Sequence, residues 1–182
     1  TDYQFPENTF EAILKGHDHK AIIIHSPTAL IKMQSIRNYI GNWPENIVQE
    51  DFFAWLSITA QGKAAYYPEV LTAYRKLSTS VSSQLIAGPS RVKYLNDHLA
   101  VLDLIKPKLN QQQLAIVLED EVKRLLKLAH TLIELHHRWG KECFLSRLSK
   151  LKQELREKLE KLDVVDFKKR YARLLLKLLR NN

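Results

Sequence analysis

Residues 111–138 read QQQLAIVLEDEVKRLLKLAHTLIELHHR. Leu114, Leu118, Leu125, Leu128, Leu132 and Leu135 recur in this stretch at intervals of three, four or seven, which places them on one stripe of an α-helix. Downstream, Leu145, Leu148, Leu151, Leu155, Leu159 and Leu162 repeat the pattern over 141–162, and Phe167, Tyr171, Leu174 and Leu178 carry it through 166–180. Upstream, Ser90–Ile105 reads as a further helix. The second half therefore reads as four helices, separated near Pro107, Gly140 and Asp163.

Working back from this block, Gly88-Pro89-Ser90 breaks the chain and offers Ser90 as a helix cap. It divides the sequence into regions 1–88 and 89–182. Five of the six prolines and all but one of the five glycines lie at or before Pro89. Charge divides at the same place. Residues 1–89 carry seven Lys/Arg against eight Asp/Glu, so the net charge of +8 belongs entirely to the second half.

In the first region the pattern is mixed. Gln34–Tyr39 and Glu50–Ala60 read as helices, with breaks at Gly41 and Gly62. Ala21–His25 is a short β-branched run, and Ala64–Tyr67 and Val70–Tyr74 read as two short strands about a Pro-Glu turn. The expected fold class is α+β: part of an α/β domain with few short strands, followed by a mainly helical region. So few strands cannot complete a sheet, and the chain opens at Thr1 inside a polar segment, so missing partners are expected upstream.

Composition excludes several classes. At 182 residues and 45% hydrophobic, the chain is long enough to bury a core and is not disordered throughout. Its only cysteine, Cys143, rules out internal disulfides and paired-cysteine metal or redox motifs. No apolar run is long enough to span a membrane and no signal-peptide pattern opens the chain, so a cytoplasmic setting is expected. Gly-rich phosphate loops and Ser/His/Asp nucleophile sets are missing from the sequence. His17-Asp18-His19 has ligand chemistry, but three adjacent residues in a polar turn also read as simply solvated. His130, His136 and His137 read as surface or boundary residues of the long helix.

The most informative string is Gln49-Glu50-Asp51-Phe52-Phe53-Ala54-Trp55-Leu56, followed by Gly62-Lys63, Tyr66, Pro68, Val70-Leu71 and Tyr74-Arg75. On physical grounds Glu50 and Asp51 are an acidic first turn of a helix, favoured by its macrodipole. The ordered series Glu-Asp-x-x-x-Trp-Leu, Gly-Lys-x-x-Tyr-x-Pro-x-Val-Leu-x-x-Tyr-Arg and Ser80-Val81-Ser82 resembles the C-terminal part of the catalytic domain of family 2 glycosyltransferases. The preceding His25-Ser26-Pro27-Thr28-Ala29-Leu30-Ile31-Lys32 and the turn Gly41-Asn42-Trp43 belong to the same resemblance, which covers about a third of the chain, Ala21–Ser82.

The resemblance implies a GT-A type fold and inverting transfer of a sugar from a nucleotide-diphosphate donor to a glycan or lipid-linked acceptor, as in cell-surface polysaccharide biosynthesis. It implies Asp51 as the catalytic base, with His25, Glu50, Trp55 and Arg75 on the substrate side. It also implies a divalent metal, Mn or Mg, for the full-length enzyme. The Asp-x-Asp motif that holds the metal in this family occurs nowhere in the sequence, and the family's His after the Tyr-Arg pair is Leu77 here. The chain alone is therefore expected to bind no metal and to be inactive.

The segment 166–180 carries six basic residues against Asp166 and reads as a basic amphipathic helix. It suits either packing on the preceding helices or peripheral contact with an anionic membrane, at the inner face for a cytoplasmic protein. Nucleic acid is not expected, because basic residues alternate with acids in 141–162 and no aromatic stacking set accompanies them. The rival to the enzyme is a non-enzymatic helical interaction or membrane-surface module.

Overall fold

The leucine stripe of 111–138 forms one continuous helix, and the helices just before and just after it in the chain pack against it. The structure, a computed structural model, describes residues 9–16, 24, 26–40, 45, 47, 50–65, 69, 72–73, 75, 77–79, 88–140 and 142–161. In chain order these form α1 (Thr9–Gly16), a 3-10 turn (Ser26–Thr28), α2 (Met33–Ile40), α3 (Glu50–Thr59), α4 (Gly88–Ile105), a second 3-10 turn (Lys106–Lys108), α5 (Gln111–Trp139) and α6 (Glu142–Lys161).

The limits of α5 follow from its end residues. The Asn110 side chain accepts from the Gln113 N–H at 2.9 Å, and the Gln113 side chain accepts from the Asn110 N–H at 3.1 Å. This reciprocal pair satisfies donors that a helix start otherwise leaves open. Gln113 Nε2 also donates to the Ala60 carbonyl at 2.9 Å, which ties the start of α5 to the end of α3. At the other end Gly140 takes φ 60°, a left-handed conformation disfavoured for side chains with a Cβ, and its N–H donates to the His136 carbonyl at 2.7 Å. Asn110→Ala is expected to cost about 1 kcal/mol. The check is a lower denaturant midpoint at unchanged slope; an unmoved midpoint would mean the box contributes nothing.

With 29 residues, α5 is long enough, at about 1.5 Å per residue, to serve two apolar clusters. Toward its N-terminus, Val117 joins Phe10, Ile13 and Leu14 of α1, Phe52, Phe53, Trp55 and Leu56 of α3, and Val101, Leu102 and Ile105 of α4. Toward its C-terminus, Leu125, Leu128 and Leu132 pack with Leu95 of α4 and with Leu148, Leu151 and Leu155 of α6. The first cluster joins residues from both sides of Gly88-Pro89-Ser90. Helix α1 has no counterpart in the sequence reading, although Phe10, Ile13 and Leu14 have helical spacing.

The α+β fold class is corrected: every element among the described residues is a helix, and none is a strand. In the β-branched run Ala21–His25 and the two runs read as strands, Ile24, Ala64, Thr72 and Ala73 lie in no regular element, Ala65 makes an isolated bridge, and Glu69 in the turn between the two strand runs is a bend. The other residues of those runs lie outside the described ones, as do His17-Asp18-His19 and 166–180. Runs of four or five β-branched and aromatic residues hold a strand only when a neighbouring strand pairs with them. The described residues supply no such neighbour. The helices read at 34–39, 50–60, 90–105, 111–138 and 141–162 are all present, with ends displaced by at most two residues.

Candidate functional site

Helix α3 presents the acidic pair. Glu50 and Asp51 occupy its first turn and are exposed, whereas Phe52 through Ser57 are buried without interruption. The carboxylates thus stand at the surface end of a helix anchored by the rest of its length. The Phe52 N–H donates to Asp51 Oδ1 at 2.8 Å, which restrains one carboxylate oxygen. Asp51 Oδ2 makes no hydrogen bond among the described residues.

Behind this turn lies a buried polar layer between the two apolar clusters. The Phe52 ring stacks on His98 of α4, with centroids 4.1 Å apart and an interplanar angle of 30°. His98 Nε2 lies 3.3 Å from Asp120 Oδ2 on α5, and Arg124, one turn further along α5, reaches both Asp120 oxygens at 3.3 and 3.4 Å. His98, Asp120 and Arg124 are buried almost completely. On α4 the order Leu95, His98, Val101 runs from one cluster through the polar layer to the other, and on α5 Asp120 and Arg124 interrupt the leucine stripe in the same layer.

Burial pushes the His98 imidazole from its ordinary 6.5 down to about 4, against the opposing influence of Asp120. The neutral ring donates from Nε2, since an ionised carboxylate can only accept. Burial alone would raise Asp120, but the His98 hydrogen bond and the Arg124 charge outweigh it and hold the carboxyl below its usual value. Tyr94, whose ring centroid is 6.4 Å from that of His98, has its phenol raised by burial first, with Arg124 opposing and the carboxylates of Asp51 and Asp120 adding to the rise. Asp51 is therefore within electrostatic reach of the layer.

A second polar group lies beside the first. Glu121, also buried, accepts at Oε1 from Lys158 of α6 at 2.9 Å and from Lys106 of the second 3-10 turn, which also pairs with Asp103 at 2.6 Å. Burial opposes the charge on Lys106, yet the two carboxylates hold its ammonium above the ordinary value. This group ties α6 to the α4–α5 connection.

Titration of His98 gives the fold an acid limit. The folded chain protonates His98 only near pH 4, whereas the unfolded chain does so near 6.5, so the unfolded state binds more protons across this window. Stability then falls as pH drops from 6.5 to 4, by about 3 kcal/mol in all. Asp120, held low, contributes stability that is lost only below its ordinary 3.8, beyond that window. Urea denaturation at pH 7 and pH 4 checks this, with His98→Asn expected to flatten the dependence. An equal slope in the variant would assign it to other groups.

The structure brings some of the expected site residues together and leaves others apart. Glu50 and Asp51 adjoin at the start of α3. Trp55, one turn on, lies in the core at 9% exposure, with Nε1 making no hydrogen bond among the described residues. Arg75 is exposed outside any regular element, and His25 lies outside the described residues. His130 and His137 are exposed and His136 is half-buried. Sequence reasoning missed His98, Asp120, Arg124 and Tyr94. The available signal was polar residues at core spacing, with Asp120 and Arg124 four apart within a leucine stripe.

Among the described residues no three His, Cys, Asp or Glu side chains come together to hold a metal, and no step below runs through one. No described helix is long and apolar enough to cross a membrane. Comparison with protein-family models, with curated proteins and with solved structures finds no match to this chain.

Proposed function

We propose that this chain is the acceptor side of an inverting glycosyltransferase, with Asp51 as general base. The observation that carries the reading is the presentation of Asp51: an exposed carboxylate at the start of a helix whose next six residues are buried, within the ordered Glu-Asp, Trp, Gly-Lys and Tyr-Arg series. In the reaction the acceptor hydroxyl gives its proton to Asp51 Oδ2 as its oxygen bonds to the anomeric carbon. The bond from that carbon to the diphosphate breaks on the opposite face, and the nucleoside diphosphate leaves with the electron pair. Restraint of Oδ1 by the Phe52 N–H supports this division of labour, since it leaves Oδ2 to take the proton. Glu50 borders the acceptor, and Arg75 faces the diphosphate in this reading.

The full-length protein, supplied with a panel of nucleotide-sugars, a divalent ion and glycan or lipid-linked acceptors, is expected to form a product of inverted anomeric configuration, read by NMR. Retained configuration, or no transfer from any donor, overturns the proposal. The second outcome would favour a non-enzymatic helical interaction module, a reading supported by the separate apolar cluster that α4, α5 and α6 build among themselves.

A further inference from the structure

We infer that a groove between α4 and α6 is a binding site for a phosphate-bearing amphiphile, an anionic lipid. The groove encloses about 570 Å³. Val92, Leu132 and Phe144 form an apolar floor, and Lys93, Arg147 and Lys150 line it with positive charge. This juxtaposition suits a ligand with a negative head and an apolar chain.

The charges differ in how far they are already neutralised. Lys93 pairs with Asp97 at 2.9 Å. Arg147 instead donates to the amide oxygen of Asn96 at 2.6 Å, a neutral partner that orients the guanidinium without cancelling its charge. Asn96 is itself held, since its Nδ2 donates to the Val92 carbonyl at 2.7 Å. Lys150 is exposed and forms no ion pair among the described residues. A pre-oriented guanidinium beside an uncompensated ammonium matches a phosphate, which guanidinium binds through paired hydrogen bonds.

Charge also selects among occupants. The chain's own segment 166–180 carries six basic residues against Asp166 and has the same sign as Arg147 and Lys150. A second copy of α6 would bring the same cations. An anionic lipid complements the groove and would reinforce any attraction between the basic second half and an anionic surface. The inference does not depend on sugar transfer.

The test uses the whole chain and monomeric decyl phosphate, with inorganic phosphate as a separate arm and phosphatidylglycerol against phosphatidylcholine vesicles as a third. Trp139 is 49% exposed and its ring lies 6.5 Å from that of Phe144, so the part of the three-tryptophan emission that Trp139→Phe removes reports on the floor. Decyl phosphate is expected to shift that emission saturably, inorganic phosphate at equal concentration is not, and phosphatidylglycerol vesicles alone are expected to sediment the protein. Arg147→Gln with Lys150→Gln should weaken decyl phosphate and vesicle binding about 30-fold, with the helical circular dichroism unchanged. Equal binding by the double variant, or an equal response to inorganic phosphate, overturns the proposal. So does self-association of the wild type that the double variant abolishes, since a second copy would then fill the groove. Loss of binding on changing Lys168, Lys169, Arg173 and Lys177 to Gln, with Arg147 and Lys150 dispensable, would place the contact in the C-terminal segment instead.

Discussion

Asp51→Asn in the full-length protein is expected to lower sugar transfer by about 10²- to 10⁴-fold, with donor binding left near wild type. Asn keeps the size of the side chain and an oxygen that can accept from the Phe52 N–H, so the first turn of α3 keeps its shape. What it loses is the capacity to take a proton. An acceptor hydroxyl is a poor nucleophile until its proton has somewhere to go, and the loss should therefore fall on turnover more than on binding. Glu50→Gln, on the neighbouring exposed position, should be milder. Transfer rates measured at saturating donor, together with donor affinity measured directly, separate the two effects. Retention of more than about a tenth of the activity would lie outside the range for a lost base and would remove Asp51 from that role.

Asp120→Ala is expected to destabilise the fold by about 3–5 kcal/mol, the largest single-residue effect on stability foreseen here. Asp120 is the shared acceptor of His98 and Arg124 in a layer from which water is excluded. Its removal takes away the carboxylate that the Arg124 guanidinium, whose side chain is 3% exposed, reaches through both Nε and Nη2. The magnitude measures a buried charge that has lost this carboxylate rather than the net worth of the pair, because replacing both partners by apolar residues of similar volume is often near neutral. Asp120→Leu combined with Arg124→Met should therefore recover most of the loss. Urea denaturation of the single and double variants checks this. A cost below about 1 kcal/mol for Asp120→Ala would match an exposed pair rather than a buried one and would mean that water reaches the layer.

The buried layer also connects the helical region to the proposed base. His98 stacks on Phe52, and Phe52 holds Asp51 through its N–H. The α4–α5 pair is thus part of what fixes the start of α3. In the chain these residues are far apart: His98 and Asp120 are 22 positions from each other, and each is more than 40 from Phe52.

Helices that carry a long apolar stripe are legible before any packing is known, because helical periodicity is a local property that needs only the spacing of side chains. Leu114 through Leu135, the break at Gly140 and the acidic first turn at Glu50 and Asp51 were all legible in this way. Other features depend on how the helices meet. Short runs such as Ala64–Tyr67, with its two tyrosines, carry a strand propensity whose outcome depends on a pairing neighbour, so the α+β reading failed where no described strand supplied one. Whether Trp55 faced a cleft or the core depended on which side of α3 met α1 and α4, and the structure buries it. Asp120 and Arg124 stand at i,i+4 spacing, but no local pattern marks His98 as their partner. The Asp120–Arg124 pair lies within α5, but its burial and its third member, His98, come only when α4 packs on α5, where a buried polar ring must find an acceptor or forfeit free energy.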